Sequence, residues 1–185
     1  TNSAASRIQN RFRGFRVYEN RKRELAITPV KKELNYNNSL SQDMPDLDKA
    51  MNALGKFTYY NSNRDQIGKI KGMLDALLAS LSNPSDSIKA DAALTLGNLA
   101  LNQTYSETIG QINGIFNKLT DLLINESDSV KANAAFALGS LAINQINSES
   151  IGQDYKIIFE LSILLDHEKS LVKNNAAVAL GNLAI

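Results

Sequence analysis

Cysteine and tryptophan are absent from this chain of 185 residues, histidine occurs once and proline three times. Without cysteine there is no disulfide, no thiol nucleophile and no cysteine zinc site, and nothing argues for an oxidising compartment. The single histidine, His167, falls in a polar turn, where a lone imidazole is usually solvated. No run of 18 or more apolar residues exists, so no transmembrane helix is expected. The polar N-terminus lacks the apolar core of a signal peptide. It does not begin with Met, so a piece of a longer protein is the expectation, with a cytoplasmic location. No glycine-rich phosphate loop precedes a helix. Asp43, Asp46 and Asp48 lie close together but lack the Gly and terminal Glu of a calcium loop. No cofactor or metal is expected, and catalysis finds little support.

Charge of one sign is scarce only in the total, which is +1. Residues 1–33 hold nine Lys or Arg and three Glu, whereas residues 34–185 hold eleven Lys or Arg and sixteen Asp or Glu. A basic head on a mildly acidic body reads as an interaction arm or a self-docking segment. The acidic body argues against nucleic acid, whose phosphates demand dense Lys and Arg.

What the chain does have is repetition. Ala92-Ala93-Leu94-Thr95-Leu96-Gly97-Asn98-Leu99-Ala100 returns as Ala134-Ala135-Phe136-Ala137-Leu138-Gly139-Ser140-Leu141-Ala142. It returns again as Ala176-Ala177-Val178-Ala179-Leu180-Gly181-Asn182-Leu183-Ala184. The offset is 42 residues both times, without a gap, and a fixed period of this size predicts a helical solenoid. Upstream of each copy, apolar residues three and four apart predict a second helix, as in Met73-Leu74-Asp75-Ala76-Leu77-Leu78. Ile67-Gly68, Ile109-Gly110 and Ile151-Gly152 keep the same phase and predict a short first helix. Ser85-Asp86-Ser87 and Ser127-Asp128-Ser129 offer side-chain oxygens as N-caps before the third helix.

Gly-x-Leu-x-x-Leu-x-x-Leu-Leu, a polar turn, then Ala-Ala-x-x-Leu-Gly-Asn-Leu-Ala closely resembles the armadillo repeat. The expectation is an all-α, right-handed armadillo-like solenoid at residues 46–185, with a truncated repeat at 46–63 and full repeats at about 64–105, 106–147 and 148–185. Leu54, Gly55 and Phe57 match Leu96, Gly97 and Leu99, so residues 46–57 read as the last helix of the truncated repeat. The competing expectation is the HEAT repeat, with two helices per unit. Gly97, Gly139 and Gly181 stand where a third helix packs closely. Residues 34–45 have linker composition.

In the basic head, Ala5, Ile8, Phe12, Phe15 and Tyr18 form an apolar stripe at helical spacing. Ile8-Gln9-x-x-Phe12-Arg13-Gly14 resembles the first half of an IQ motif, the helix gripped by calmodulin and myosin-type light chains. The resemblance implies a light-chain or calmodulin contact through Ile8, Gln9, Phe12, Arg13 and Gly14. Tyr18 and Arg21 depart from the motif's second half, which is the half that engages the N-terminal lobe. The alternative is an N-terminal cap on the solenoid, whose ends need covering. Arg21-Lys22-Arg23 also admits a nuclear import signal.

For the solenoid, the armadillo resemblance implies a concave groove along the third helices. Asn98 and Asn182 match the family's groove asparagine, whose amide offers donor and acceptor to a peptide backbone. Ser140 replaces it in the middle repeat and Lys56 in the truncated one. Asp91, Asn133 and Asn175 lie seven residues earlier, on the same helical face. The family's groove Trp is replaced by Leu94, Phe136 and Val178, which breaks the ladder that holds basic import signals in importin-α. A polar, nearly uncharged groove is expected, the alternative for these residues being a solvated helix face. Lys89, Lys131 and Lys173 are expected to form a solvated ridge. The function expected is a non-catalytic scaffold that binds a protein partner in its groove and recruits calmodulin through its head. The alternative is a peptide-binding or self-assembling solenoid with a structural or autoinhibitory head.

Overall fold

Ten α-helices and one short 3-10 turn make up the described residues, 45–184, of the computed structural model, with no strand among them. Helix α1 spans Pro45–Thr58. Three triplets follow. The first is α2 (Asn61–Gly68), α3 (Met73–Ser80) and α4 (Asp86–Ala100). The second is α5 (Gln103–Gly110), α6 (Ile115–Leu123) and α7 (Asp128–Leu141). The third is α8 (Gln145–Gly152), α9 (Tyr155–Ile163), the turn Leu164–Asp166 and α10 (Ser170–Leu183). Three helices per repeat, rather than two, decide for the armadillo-like arrangement over the HEAT-like one.

The third helices form the spine. Helix α1 packs on α4, α4 on α7 and α7 on α10, and these are the most extensive contacts in the fold. That explains why α4 and α7 carry apolar or small residues almost all round. Ala92, Ala93, Leu96 and Leu99 of α4 are fully buried, as are Ala134, Ala135 and Leu141 of α7. A helix with neighbours on three sides needs no polar stripe. Its small residues let the next helix approach. A Cβ on Gly97 would sit 2.7 Å from the Phe136 ring and 3.0 Å from Ala137 Cα, and one on Gly139 would lie 3.1 Å from Ala179 Cα.

Sequence also sets how each second helix begins. Gly72 and Gly114 stand just before α3 and α6 with φ of +79° and +77°, which a side chain rarely adopts. The third repeat has no glycine there. Asp154 takes over instead, with φ of −90° and its side chain accepting the Lys156 N–H at 2.9 Å.

The serine N-caps act differently from expectation. Ser85 and Ser127 occupy the cap positions of α4 and α7, but neither side chain accepts a cap hydrogen bond. The turn is tied two residues earlier: Asn83 Oδ1 accepts the Ser85 N–H at 2.9 Å and Asn125 Oδ1 accepts the Ser127 N–H at 2.8 Å. In the third repeat His167 Nδ1 accepts the Lys169 N–H at 3.1 Å. The Asn125 amide also reaches Asp86 Oδ1 at 3.3 Å, and His167 Nε2 lies 3.4 Å from Asp128 Oδ1. His167 is therefore an Asn equivalent that ties one repeat's turn to the preceding third helix, not a solvated residue.

Three substitutions test these assignments. Leu138 is buried in the α7 core, so Leu138→Ala should cost on the order of 2–5 kcal/mol in urea denaturation by opening a cavity. His167→Asn should stay within about 0.5 kcal/mol of the parent, whereas His167→Ala should lose about 0.5–1.5 kcal/mol with its hydrogen bond. Equal losses from both substitutions would break the equivalence of His167 and Asn125.

Candidate functional site

The expected groove asparagines turn out to be reaching along the stack. Asn98 Nδ2 donates to Gly55 O at 3.1 Å and to Thr58 Oγ1 at 3.2 Å. Asn182 Nδ2 donates to Gly139 O at 2.9 Å. Seven residues earlier the pattern repeats: Asn133 Nδ2 donates to Ala90 O at 2.9 Å and Asn175 Nδ2 to Ala132 O at 2.8 Å. All four carbonyls lie 43 residues back, on the preceding third helix. A side-chain amide can do this because the helices are close and a helix carbonyl keeps a second lone pair.

The consequence for binding differs along the column. Asn98 is only 3% exposed and both its N–H groups are used within the protein, so it presents no donor to a ligand. This corrects the expectation of an Asn98 peptide contact; closeness of the helices, which the sequence pattern does not state, draws the amide inward. Ser140 is buried too, and it is shorter than the asparagine it replaces. Asn133, Asn175 and Asn182 remain half-buried, each with its amide turned to the neighbouring helix. Asp91 cannot donate. Here the direction reverses, and Asn52 Nδ2 of α1 donates to Asp91 Oδ2 at 3.3 Å. Burial pushes the Asp91 carboxyl above its ordinary value; the Asn52 bond opposes this and Asp48 adds to it.

The open face of the third-helix layer is more apolar than expected. Leu101, Phe136, Ile143 and Val178 line a shallow depression of about 100 Å³ between α7 and α10, with Gly139 and Ser140 in its floor and Asn175 and Asn182 on its rim. Ile143 is 63% exposed and Val178 59%. The expectation of a polar groove is thus corrected in part: each of these amides turns an N–H to the neighbouring helix, and of the side chains at 94, 136 and 178 Val178 is exposed while Leu94 and Phe136 are half-buried. The signal was present at 94, 136 and 178, where Leu, Phe and Val occur, and at 101 and 143, where Leu and Ile occur.

The lysine column is mixed. Lys89 has a mostly buried side chain and pairs with Asp86 at 2.6 Å, which holds the Asp86 carboxyl below its ordinary value. Lys131 is half-buried and Lys173 exposed. Ile8, Gln9, Phe12, Arg13 and Gly14 lie outside the described residues. Among the described residues no group of three or more His, Asp or Glu could hold a metal ion, and no helix is long and apolar enough to cross a membrane.

The first site prediction concerns Asn98. Asn98→Ala should lower stability by about 1–3 kcal/mol, because the Gly55 carbonyl region and Thr58 lose a buried partner. Asp91→Asn should do the opposite, gaining about 0.5–1.5 kcal/mol at neutral pH if the new amide donates to the residue 48 carbonyl as Asn133 does to Ala90. The pH dependence has a fixed sign. Folded Asp91 holds its proton more tightly than the unfolded chain, so its favourable contribution is complete below the unfolded carboxylate pKa. It is lost as pH rises through the raised folded value. Urea melts across the acid range should show this decline in the parent and a flatter profile in Asp91→Asn.

No family model and no curated protein matches the chain. Solved structures do. An engineered protein aligns with TM-score 0.69 and 24% identity over 78% of this chain and 35% of its own length. A designed armadillo repeat protein aligns with TM-score 0.69 and 19% identity over 88% and 72% of the two chains. Another, in complex with the peptide (KR)4, aligns with TM-score 0.67 and 23% identity over 85% of this chain and 63% of its own. At identities below one quarter this is a likeness of fold, and the fold is an armadillo-like repeat solenoid. The chain spans about a third of the length of the first of these neighbours.

Proposed function

We propose that this chain is a non-catalytic scaffold whose third-helix face binds an extended segment of a protein partner, through apolar side chains rather than basic ones. The observation that carries this is the apolar depression of Leu101, Phe136, Ile143 and Val178 with amides on its rim. Ile143 and Val178 are exposed there, so an apolar side chain of a partner can be buried against them. A designed neighbour in complex with the peptide (KR)4 supports peptide binding by a solenoid of this fold. The ligand chemistry must differ here. On α4, α7 and α10 the two columns carry one charge between them, Asp91, and it is engaged by Asn52. An aliphatic or aromatic side chain suits the depression, and the unspent amide oxygens of Asn175 and Asn182 can accept from a peptide N–H.

Selection from a random peptide library should return sequences with a large apolar residue in common and no excess of Lys or Arg. Burying one such side chain contributes roughly 1.5–3 kcal/mol, so Ile143→Asp or Val178→Asp should weaken a selected peptide tenfold or more in calorimetry. Both positions are exposed, so the melting temperature should barely move. Enrichment of basic peptides, with affinity untouched by either substitution, would refute the apolar reading.

A second reading rests on the sequence of the head. The IQ-like residues Ile8, Gln9, Phe12, Arg13 and Gly14 would let residues 1–26 bind calmodulin or a related light chain. The intact first half of the motif favours one-lobed binding that persists in calcium chelator. Calorimetry of the full chain and of the 1–26 peptide, with calcium and with chelator, tests it. Ile8→Glu should reduce the affinity at least tenfold, since one apolar anchor is worth roughly 1.5–3 kcal/mol. Absence of binding at tens of micromolar in every condition would leave the head as a cap on the solenoid.

A further inference from the structure

The second helix of the third repeat differs from its two counterparts along one exposed stripe. Tyr155, Phe159 and Ile163 recur every four residues on α9 and are 87%, 60% and 51% exposed. The equivalent positions are Lys71, Asp75 and Ala79 in the first repeat and Asn113, Asn117 and Asp121 in the second, polar or small in every case. All six are exposed as well, although each of those repeats has a successor packed on it. The exposure therefore belongs to the second-helix layer, and what changes in the third repeat is the chemistry. Three large apolar side chains at helical spacing form a stripe that an amphipathic helix can cover.

The border of the stripe is acidic. Asp154, Glu160, Asp166 and Glu168 outnumber Lys156 and Lys169, and Lys156 is already paired with Asp121 at 2.8 Å. Asp166 and Glu168 are exposed, Asp154 and Glu160 half-buried. An occupant with an apolar stripe and basic flanks matches this surface in both respects. The chain carries such a sequence outside the described residues: Ala5, Ile8, Phe12, Phe15 and Tyr18 recur at helical spacing among Arg7, Arg11, Arg13 and Arg16. The connection is long enough. Residues 19–44 reach up to about 85 Å at ~3.3 Å each, whereas three helix-to-helix steps along the solenoid are about 10 Å apiece.

We propose that the basic head of this chain, residues 5–18, docks on the Tyr155–Phe159–Ile163 stripe of its own third repeat. The depression beside Ile143 is a poorer seat for it, because the one acid of the amide columns, Asp91, is engaged by Asn52. The docking rests on neither functional reading above. It covers Ile8 and Phe12, the apolar anchors of the light-chain reading, so the head must leave α9 before a light chain can grip it.

The distance between two spin labels on the full chain tests this. With no cysteine in the sequence, Asn10→Cys and Gln153→Cys supply the two attachment points. Residue 10 is opposite the apolar stripe in a helical projection, and Gln153 is exposed just before α9. The docked head should give one short, narrow distance. Tyr155→Glu combined with Phe159→Glu should broaden it to the distribution of a free tail, as should Phe12→Glu. Tyr155 and Phe159 are exposed, so circular dichroism should be unchanged. Ile143→Asp should leave the narrow distance intact. A broad distribution in the parent overturns the proposal, as does a narrow one that survives the double substitution on α9 or is lost with Ile143→Asp. A short distance between mixed, singly labelled chains would assign the docking to the head of another copy and overturn it too.

Discussion

Close approach of successive third helices is the constraint on which the rest of this structure depends. Gly97 and Gly139 remove the Cβ atoms that would hold those helices apart, and the paired alanines beside them keep the contact flat. Gly in a helix interior costs roughly 0.5–1 kcal/mol against Ala, so its place in the repeat must be offset by packing. At Gly97 the offset is visible as the Phe136 ring resting on the backbone. Once the helices are that near, a side-chain amide can span from one to the next. The four asparagine ties, all to a carbonyl 43 residues back, are a result of the spacing as much as a support for it.

Those ties decide what is left for binding. An amide tied to the neighbouring helix by one bond keeps its oxygen and a second N–H, whereas Asn98 has both donors engaged within the fold. The face is therefore defined by the residues between the amides. Leu101, Phe136, Ile143 and Val178 come forward because the packed faces of their helices are already filled by alanine, leucine and glycine. Apolar residues in excess of what the core can absorb are left at the surface.

Much of the fold was legible from the sequence for a physical reason. A gapless 42-residue period forces each helix to meet the same neighbours as its copies, so one repeat read correctly places the others. The match of Leu54 and Gly55 to Leu96 and Gly97 located α1 by the same logic. Side-chain direction was not legible. The asparagine at 98 looks the same in one dimension whether it points to solvent or to Gly55, and only the helix separation chooses. His167 hid in the same way. Its offset of 42 from Asn125 was available in the sequence, but imidazole and carboxamide do not resemble one another until both are seen accepting an N–H from two residues ahead.

The breaks in the repeat are informative because the intact copies act as controls within the same molecule. Asp91 interrupts a column that otherwise donates, and the structure answers by reversing the bond so that Asn52 becomes the donor. The carboxylate remains at a cost, since burial raises its pKa and Asp48 stands nearby. Asparagine at that site would avoid both effects, as it does in the next two repeats. The Asn52 amide and the charge of Lys56 favour the carboxylate and offset part of that cost. Asp91 lies on α4, one third helix before Phe136 and two before Val178, so its charge stands apart from the apolar depression.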